Sequence, residues 1–273
     1  MPFKPPPLAC DAHCHVFGPA ARFPYDPKAA YHPEDAPLDE LEKLHSRLGL
    51  ERAVIVHASC HGADLRVTLD ALARSGGRFR GTAIIDPSYS DKDFERMQEG
   101  GVRGVRFNFV RHLGGRPDMG FFAKTVDRLK ALGWHLILHL DAQDLVEFED
   151  MFRKLPVPFV IDHMGRVKAA DGLDQKPFKT LLGFMKHENA WVKICGAERV
   201  SSSGPPFTDA VPFARALVDA APDRVLWGTD WPHPNVKWMP DDAALLELFP
   251  RMVPDPVLQK RILVDNPARL YGF

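Results

Sequence analysis

Along the chain, short apolar runs alternate with longer segments whose apolar residues recur at helical spacing. Eight runs stand out, over residues 8–11, 53–57, 81–85, 104–109, 135–140, 159–162, 191–194 and 225–227. Most are rich in Val, Ile or aromatic residues, the composition of parallel strands covered on both faces. Residues 38–48, 64–75, 91–100, 121–132, 144–155, 177–187, 212–221 and 241–249 read as helices. In the fourth of these, Phe122, Val126, Leu129 and Leu132 share one helical face and Gly133 supplies a stop, while Asp91 and Asp144 sit where an N-cap belongs. Eight strand–helix alternations predict an α/β fold of the (β/α)8, or TIM-barrel, type.

The 273 residues suit one such barrel. No internal repeat, charge block or Gly/Ser linker divides them, so residues 1–273 are expected to form a single domain. The Pro- and Gly-rich stretches 18–37 and 201–206 read as long loops, which in a barrel can cover the mouth. A formal net charge of -1 offers nucleic acid or an anionic membrane no overall field to exploit, and neither is expected as a partner. The opening Met1-Pro2-Phe3-Lys4-Pro5-Pro6-Pro7 lacks a signal core, and no uninterrupted apolar stretch approaches the ~18 residues of a membrane span. Cys10, Cys14, Cys60 and Cys195 show no paired spacing and read as free thiols, which predicts a cytoplasmic location.

The reactive residues fall at the ends of the apolar runs. His13 and His15 follow the first, Ser59 and His61 the second; Arg106 and Asn108 lie in the fourth, and His139 and Asp141 end the fifth. Asp162-His163-Met164-Gly165-Arg166 ends the sixth, the seventh leads to Glu198 and Arg199, and the eighth to Gly228-Thr229-Asp230-Trp231-Pro232-His233. In a barrel these C-terminal ends converge on one face. A His-x-His on a strand sets both imidazoles on one side, suited to a metal or to one polarised oxygen. Asp230, enclosed by Trp227 and Trp231, can hold a water and take its proton; the plainer role for it is a turn cap. Arg106, Arg166 and Arg199 imply an anionic substrate with more than one carboxylate, unless acids such as Glu198 pair with them. Gly76-Gly77 and Gly100-Gly101 read as helix ends, not phosphate cradles; Cys14 and Cys60 lack a cysteine-hydrolase signature; His45, His57 and His187 read as packed or solvated.

Five strings are more specific than a fold: Asp11-Ala12-His13-Cys14-His15-Val16-Phe17-Gly18-Pro19, Ala58-Ser59-Cys60-His61-Gly62, Gly101-Val102-Arg103-Gly104-Val105-Arg106-Phe107-Asn108-Phe109, Asp162-His163-Met164-Gly165-Arg166 and Trp227-Gly228-Thr229-Asp230-Trp231-Pro232-His233-Pro234-Asn235. With them, nearly the whole chain resembles the amidohydrolase superfamily and, within it, the 2-pyrone-4,6-dicarboxylate lactonase branch. The resemblance implies a distorted barrel that hydrolyses a small anionic lactone in the breakdown of lignin-derived aromatics. It implies Asp230 as the base that activates water and His13, His15 and His163 as donors that polarise the carbonyl. Tyr31, Ser59, His61, Arg106, Arg166, Arg199, His233 and Asn235 are implied as the substrate shell.

Two departures qualify the transfer. Where the family pattern has a further substrate arginine, this chain has Val110-Arg111-His112-Leu113, so His112 or a shifted Arg111 stands in. The fifth run ends in His139 where the dicarboxylate lactonase resembled most has a tyrosine and works without metal; across the wider superfamily a histidine there is a metal ligand. The resemblance thus leaves two sites open, one with no obligatory cofactor and one with a single divalent metal, zinc first, on His13, His15, His139 and Asp230. A sugar-acid lactone or a muconolactone, a metal-dependent decarboxylation, and a non-catalytic binding pocket are the alternative readings.

Overall fold

The apolar runs become eight parallel strands of one sheet, paired in sequence order. They are β1 (Cys10–Cys14), β2 (Arg52–Val56), β3 (Phe79–Ala83), β4 (Val102–Asn108), β5 (His135–His139), β6 (Phe159–Ile161), β7 (Ala190–Lys193) and β8 (Val225–Leu226). The description rests on a computed structural model and covers residues 2–273. Beyond the short β8, backbone bonds carry the sheet round to β1: Ala12 N donates to Trp227 O, Asp230 N to His13 O and His15 N to Trp231 O, at 2.9, 2.7 and 2.8 Å. The result is a nearly closed (β/α)8 barrel, as the alternation predicts.

The helices are α1 (Leu38–Leu48), α2 (Arg66–Arg74), α3 (Asp91–Glu99), α4 (Met119–Leu132), α5 (Ala142–Glu147), α6 (Glu149–Arg153), α7 (Lys176–Phe184), α8 (Ala197–Val200), α9 (Val211–Ala220), α10 (Asp242–Met252), α11 (Pro256–Lys260) and α12 (Asn266–Tyr271). The segment expected as one helix over 144–155 breaks at Phe148, whose ψ of 18° leaves the helical range. Neither expected cap holds. Ser90 caps α3 with Asp93 returning the bond, and Asp141 caps α5 with Asp144 returning it, because the cap must be the extended residue just outside the first turn. The helices after α10 have no counterpart in the sequence reading; α12 carries Tyr271, fully buried inside the barrel.

Two apolar layers result. One lies between sheet and helices; the other fills the barrel with Cys10, Ala12, Val54, Val56, Ile137, Val160, Trp191, Leu226 and Tyr271. Strand side chains alternate between these layers. The inward row therefore passes from Ile137 to His139, from Val160 to Asp162 and from Trp191 to Lys193, turning polar at the C-terminal rim. All four cysteines are buried and free, and no helix among the described residues is long and apolar enough to cross a membrane.

Candidate active site

Asp230 is the centre of the rim. It is fully buried, and its Oδ1 faces three imidazoles: His13 Nε2 and His15 Nε2 at 3.5 Å and His163 Nε2 at 3.9 Å. Its Oδ2 accepts from Arg199 Nε at 2.6 Å. Burial pushes this carboxyl up, but the Arg199 guanidinium, followed by His163, His15 and His13, outweighs burial and holds it well below the usual carboxylate range. Asp230 is thus a buried anion whose Oδ1 has no hydrogen-bond partner among the described residues.

The imidazoles are oriented from behind. His15 Nδ1 donates to Val56 O at 2.7 Å, which leaves its Nε2 facing Asp230. His163 is backed by Cys195, with Sγ 3.5 Å from Nδ1, and by Gly196, where a Cβ would come within 2.7 Å of the same nitrogen. Burial drives His163 and His139 well below the ordinary histidine range, so both rings are neutral. His13 rests on a second carboxylate, Asp162, which also pairs with Lys193 Nζ at 3.2 Å and Arg106 Nη2 at 3.1 Å. Burial, then the neighbouring Lys193 ammonium, pushes His13 down to about 4. Within β1, Asp11 accepts from Thr229 Oγ1, Thr229 N, His45 Nε2 and His13 N, tying the first strand to the chain after the last.

The cavity above Asp230 is lined by His15, Tyr31, Ser59, Arg106, His112, Leu113, His139, His163, Arg166, Arg199, Asp230, Pro234 and Asn235. Eleven of the residues proposed from sequence meet there; His13, His61 and His233 do not. His13 lies beneath Asp230, away from the wall. His61 Nδ1 turns to Pro24 O, at 3.3 Å, under the Tyr25 ring. His233 Nε2 bonds Asp242 Oδ1 at 3.0 Å, and although burial opposes it, Asp242 and Glu198 raise this ring to about 9. The cavity is narrow, ≈ 20 Å³, about one water's worth. Arg166 and Arg199 also line a cleft of ≈ 710 Å³ outside it, with Arg111, Lys168 and Lys176.

The three arginines do not stand without partners. Arg106, Arg166 and Arg199 each already have a carboxylate, from Asp162, Asp141 and Asp230 respectively. What points to an anion is therefore their shared position on one wall with unspent N–H groups, not an unpaired charge. The metal set also changes. His13, His15 and Asp230 have ligand atoms within 4.8 Å of one another and could hold an ion, but His139 stands outside; its Nδ1 lies 2.9 Å from Asn108 Oδ1.

Sequence reasoning passed over Lys193 as a site residue. A lone lysine in the apolar run Ala190-Trp191-Val192-Lys193-Ile194-Cys195, two residues beyond inward Trp191, was the available signal. It also did not see that His163, Arg166, Asp230, His233 and Asn235 all take positive φ, between 51° and 69°. Left-handed backbone in non-glycine residues costs on the order of 1 kcal/mol or more each, and its concentration on one rim marks a functional surface.

A nearly closed barrel with imidazoles, guanidiniums and one ionised carboxylate converging on its C-terminal rim defines a barrel-enzyme type of site. More narrowly, the chain belongs to the amidohydrolase family, whose model (Amidohydro_2) matches residues 10–273. It is 46% identical to a 2-pyrone-4,6-dicarboxylate hydrolase of Comamonas testosteroni, over 98% of this chain and 92% of that one. It is 43% identical to a 4-sulfomuconolactone hydrolase of Hydrogenophaga intermedia, over 99% and 90%. A crystal structure of a ligand-free Agrobacterium tumefaciens protein superposes with a TM-score of 0.87 at 28% identity, covering 99% of this chain and 97% of that one.

Proposed function

We propose that this protein hydrolyses a small lactone that carries at least two acidic groups, of the 2-pyrone-4,6-dicarboxylate or sulfomuconolactone kind. The observation that carries the reading is Asp230, a buried carboxylate kept ionised, with Oδ1 unpartnered and aimed between His15 and His163 at a cavity walled by three arginines. Asp230 takes one proton from a water, and the water oxygen bonds to the lactone carbonyl carbon. The carbonyl oxygen gains charge, which His163 and the guanidiniums stabilise. The ring C–O bond then breaks, and the ring oxygen leaves with the proton that Asp230 took from the water, which completes the opened acid and restores the carboxylate. His15, with Nδ1–H committed to Val56, holds its Nε2 beside Asp230 Oδ1, where it orients the water. Arg166 and Arg199, and Ser59, Tyr31, His112 and Asn235 around them, hold the acidic groups of the substrate.

A divalent metal does not fit these residues as they are charged. His13, His15 and Asp230 have the spacing, but Lys193 Nζ stands 3.1 Å from the second nitrogen of His13 and Arg199 occupies the second oxygen of Asp230. Two cations already bear on the would-be ligands, and a dication adds repulsion in a low-dielectric site. The reading is therefore of a site that works without a metal, in a reducing compartment such as the cytoplasm where four buried thiols stay free. The test is turnover of 2-pyrone-4,6-dicarboxylate and of 4-sulfomuconolactone by purified protein, with elemental analysis, before and after exhaustive chelation. Ring opening that survives chelation supports the reading. No turnover of either lactone ends it, and activity lost to chelation and restored by zinc ends its metal-free part.

A further inference from the structure

Lys193 is a fully buried lysine that the reaction above does not use. Its Nζ lies 3.1 Å from His13 Nδ1 in hydrogen-bonding alignment. An ammonium only donates, so where this bond forms His13 Nδ1 accepts, and the proton of the neutral ring sits on Nε2. Asp162 Oδ1 competes for Nδ1 from 3.3 Å, but it receives no hydrogen bond in good alignment. Asp162 acts instead as the counter-charge that makes a buried ammonium tolerable, with Arg106 on its other oxygen at 3.2 and 3.1 Å. On the far side of the ring, His13 Nε2 has no partner among the described residues except the facing Asp230 Oδ1, 3.5 Å away.

We infer that Lys193 is a positioning residue: its ammonium locks His13 in the Nε2–H tautomer, so that His13 presents a donor, and not a lone pair, to the base Asp230. The chain of donation runs Lys193 Nζ–H to His13 Nδ1, then His13 Nε2–H towards Asp230 Oδ1. It steadies the carboxylate through a bond that can shorten once substrate and water fill the cavity. The opposite tautomer would turn a lone pair onto an anion, and the same two atoms would then attract a cation. Lys193 accordingly decides between an anion-holding pair and a metal-binding pair made of the same side chains. The rate part of this inference rests on the lactonase reading; the tautomer part does not.

The wild-type enzyme labelled with 15N-histidine tests it directly, by two-bond proton–nitrogen correlation near pH 7, with the His13 signals assigned by their loss in His13→Gln. The expected pattern is a pyrrole-like Nε2 and a pyridine-like Nδ1, read without substrate. A pyrrole-like Nδ1 in the wild type overturns the inference, whatever any variant does. In Lys193→Met, of similar length and without charge, the His13 pattern should invert. Lactone kcat should then fall about 10²-fold or more with little change in KM; a wrong tautomer in the Ser-His-Asp triad costs about 10⁴-fold. Zn2+ affinity, measured by equilibrium dialysis of folded protein, should rise at least tenfold. A Lys193→Met protein that keeps the wild-type His13 pattern, kcat and Zn2+ affinity also overturns it. If the wild type opens no lactone, the functional reading fails, while the tautomer pattern still decides the role of Lys193.

Discussion

Replacing Asp230 by Asn separates chemistry from structure at the centre of the site. The amide is isosteric and, unlike most residues, accepts the left-handed backbone that Asp230 adopts at φ 69°. It keeps an oxygen for Arg199 Nε, now 2.6 Å from a carboxylate, so a charge-assisted bond becomes an ordinary one. The difference between those classes is about 1–2 kcal/mol, which in a chain of this size lowers Tm by roughly 2–8 °C. The variant should therefore be folded at 25 °C. What it cannot do is take a proton from water. Removing a general base costs about 10²–10⁴ in rate, or ~3–5.5 kcal/mol of barrier. The expected result is kcat reduced by that factor with KM within a few-fold of wild type, measured by ring opening of 2-pyrone-4,6-dicarboxylate, alongside a thermal melt. A kcat within tenfold of wild type in a folded variant would refute Asp230 as the base.

Three further outcomes follow from the same geometry. His57, between Thr68 Oγ1 and Gly62 O, and His135, against Tyr271, are each pushed to about 3 mainly by burial. The unfolded chain takes up these protons first, near pH 6.5, so stability is lost as pH falls from there towards the folded values, by roughly 2 kcal/mol per ring between pH 7 and 5; urea unfolding that gives equal or greater stability at pH 5 contradicts this. Gly196→Ala places a Cβ 2.7 Å from His163 Nδ1 at a φ of 76°, so it should cost at least ~1–2 kcal/mol and lower kcat together; a melt and rate both unchanged would show that His163 is free to move aside. The cleft outside the cavity, where Arg111, Arg166, Lys168, Lys176 and Arg199 outnumber Asp141, Asp144 and Asp171, should draw in a dianionic lactone, so its kcat/KM should fall severalfold as ionic strength rises from about 0.01 to 0.15 M, while that of a neutral lactone stays level; equal salt dependence would mean the cleft does not steer.

Much of this protein is legible in one dimension. Strand number and order follow from eight apolar runs because an inward and outward apolar face leaves parallel strands little else to be, and chain order becomes spatial order once each crossover is a helix. That His15, His139, His163, Arg106, Arg166, Arg199 and Asp230 meet is likewise foreseeable, since strand ends of a barrel share a rim. The tertiary structure alone decided which way each side chain faces and what stands behind it. His61 and His233 sit in matching motifs yet turn to Pro24 and Asp242, because backbone acceptors and acids from other elements reach them first. The three arginines acquired carboxylates from neighbouring strands and loops, which no linear spacing records. Lys193 reads in sequence as an oddity in a strand and becomes, in space, the group touching both His13 and Asp162. Pattern determines where the backbone goes, because burying apolar area depends on sums over many residues. The state of a buried proton depends on one or two atoms within about 3 Å, and those arrive from chain far away in sequence.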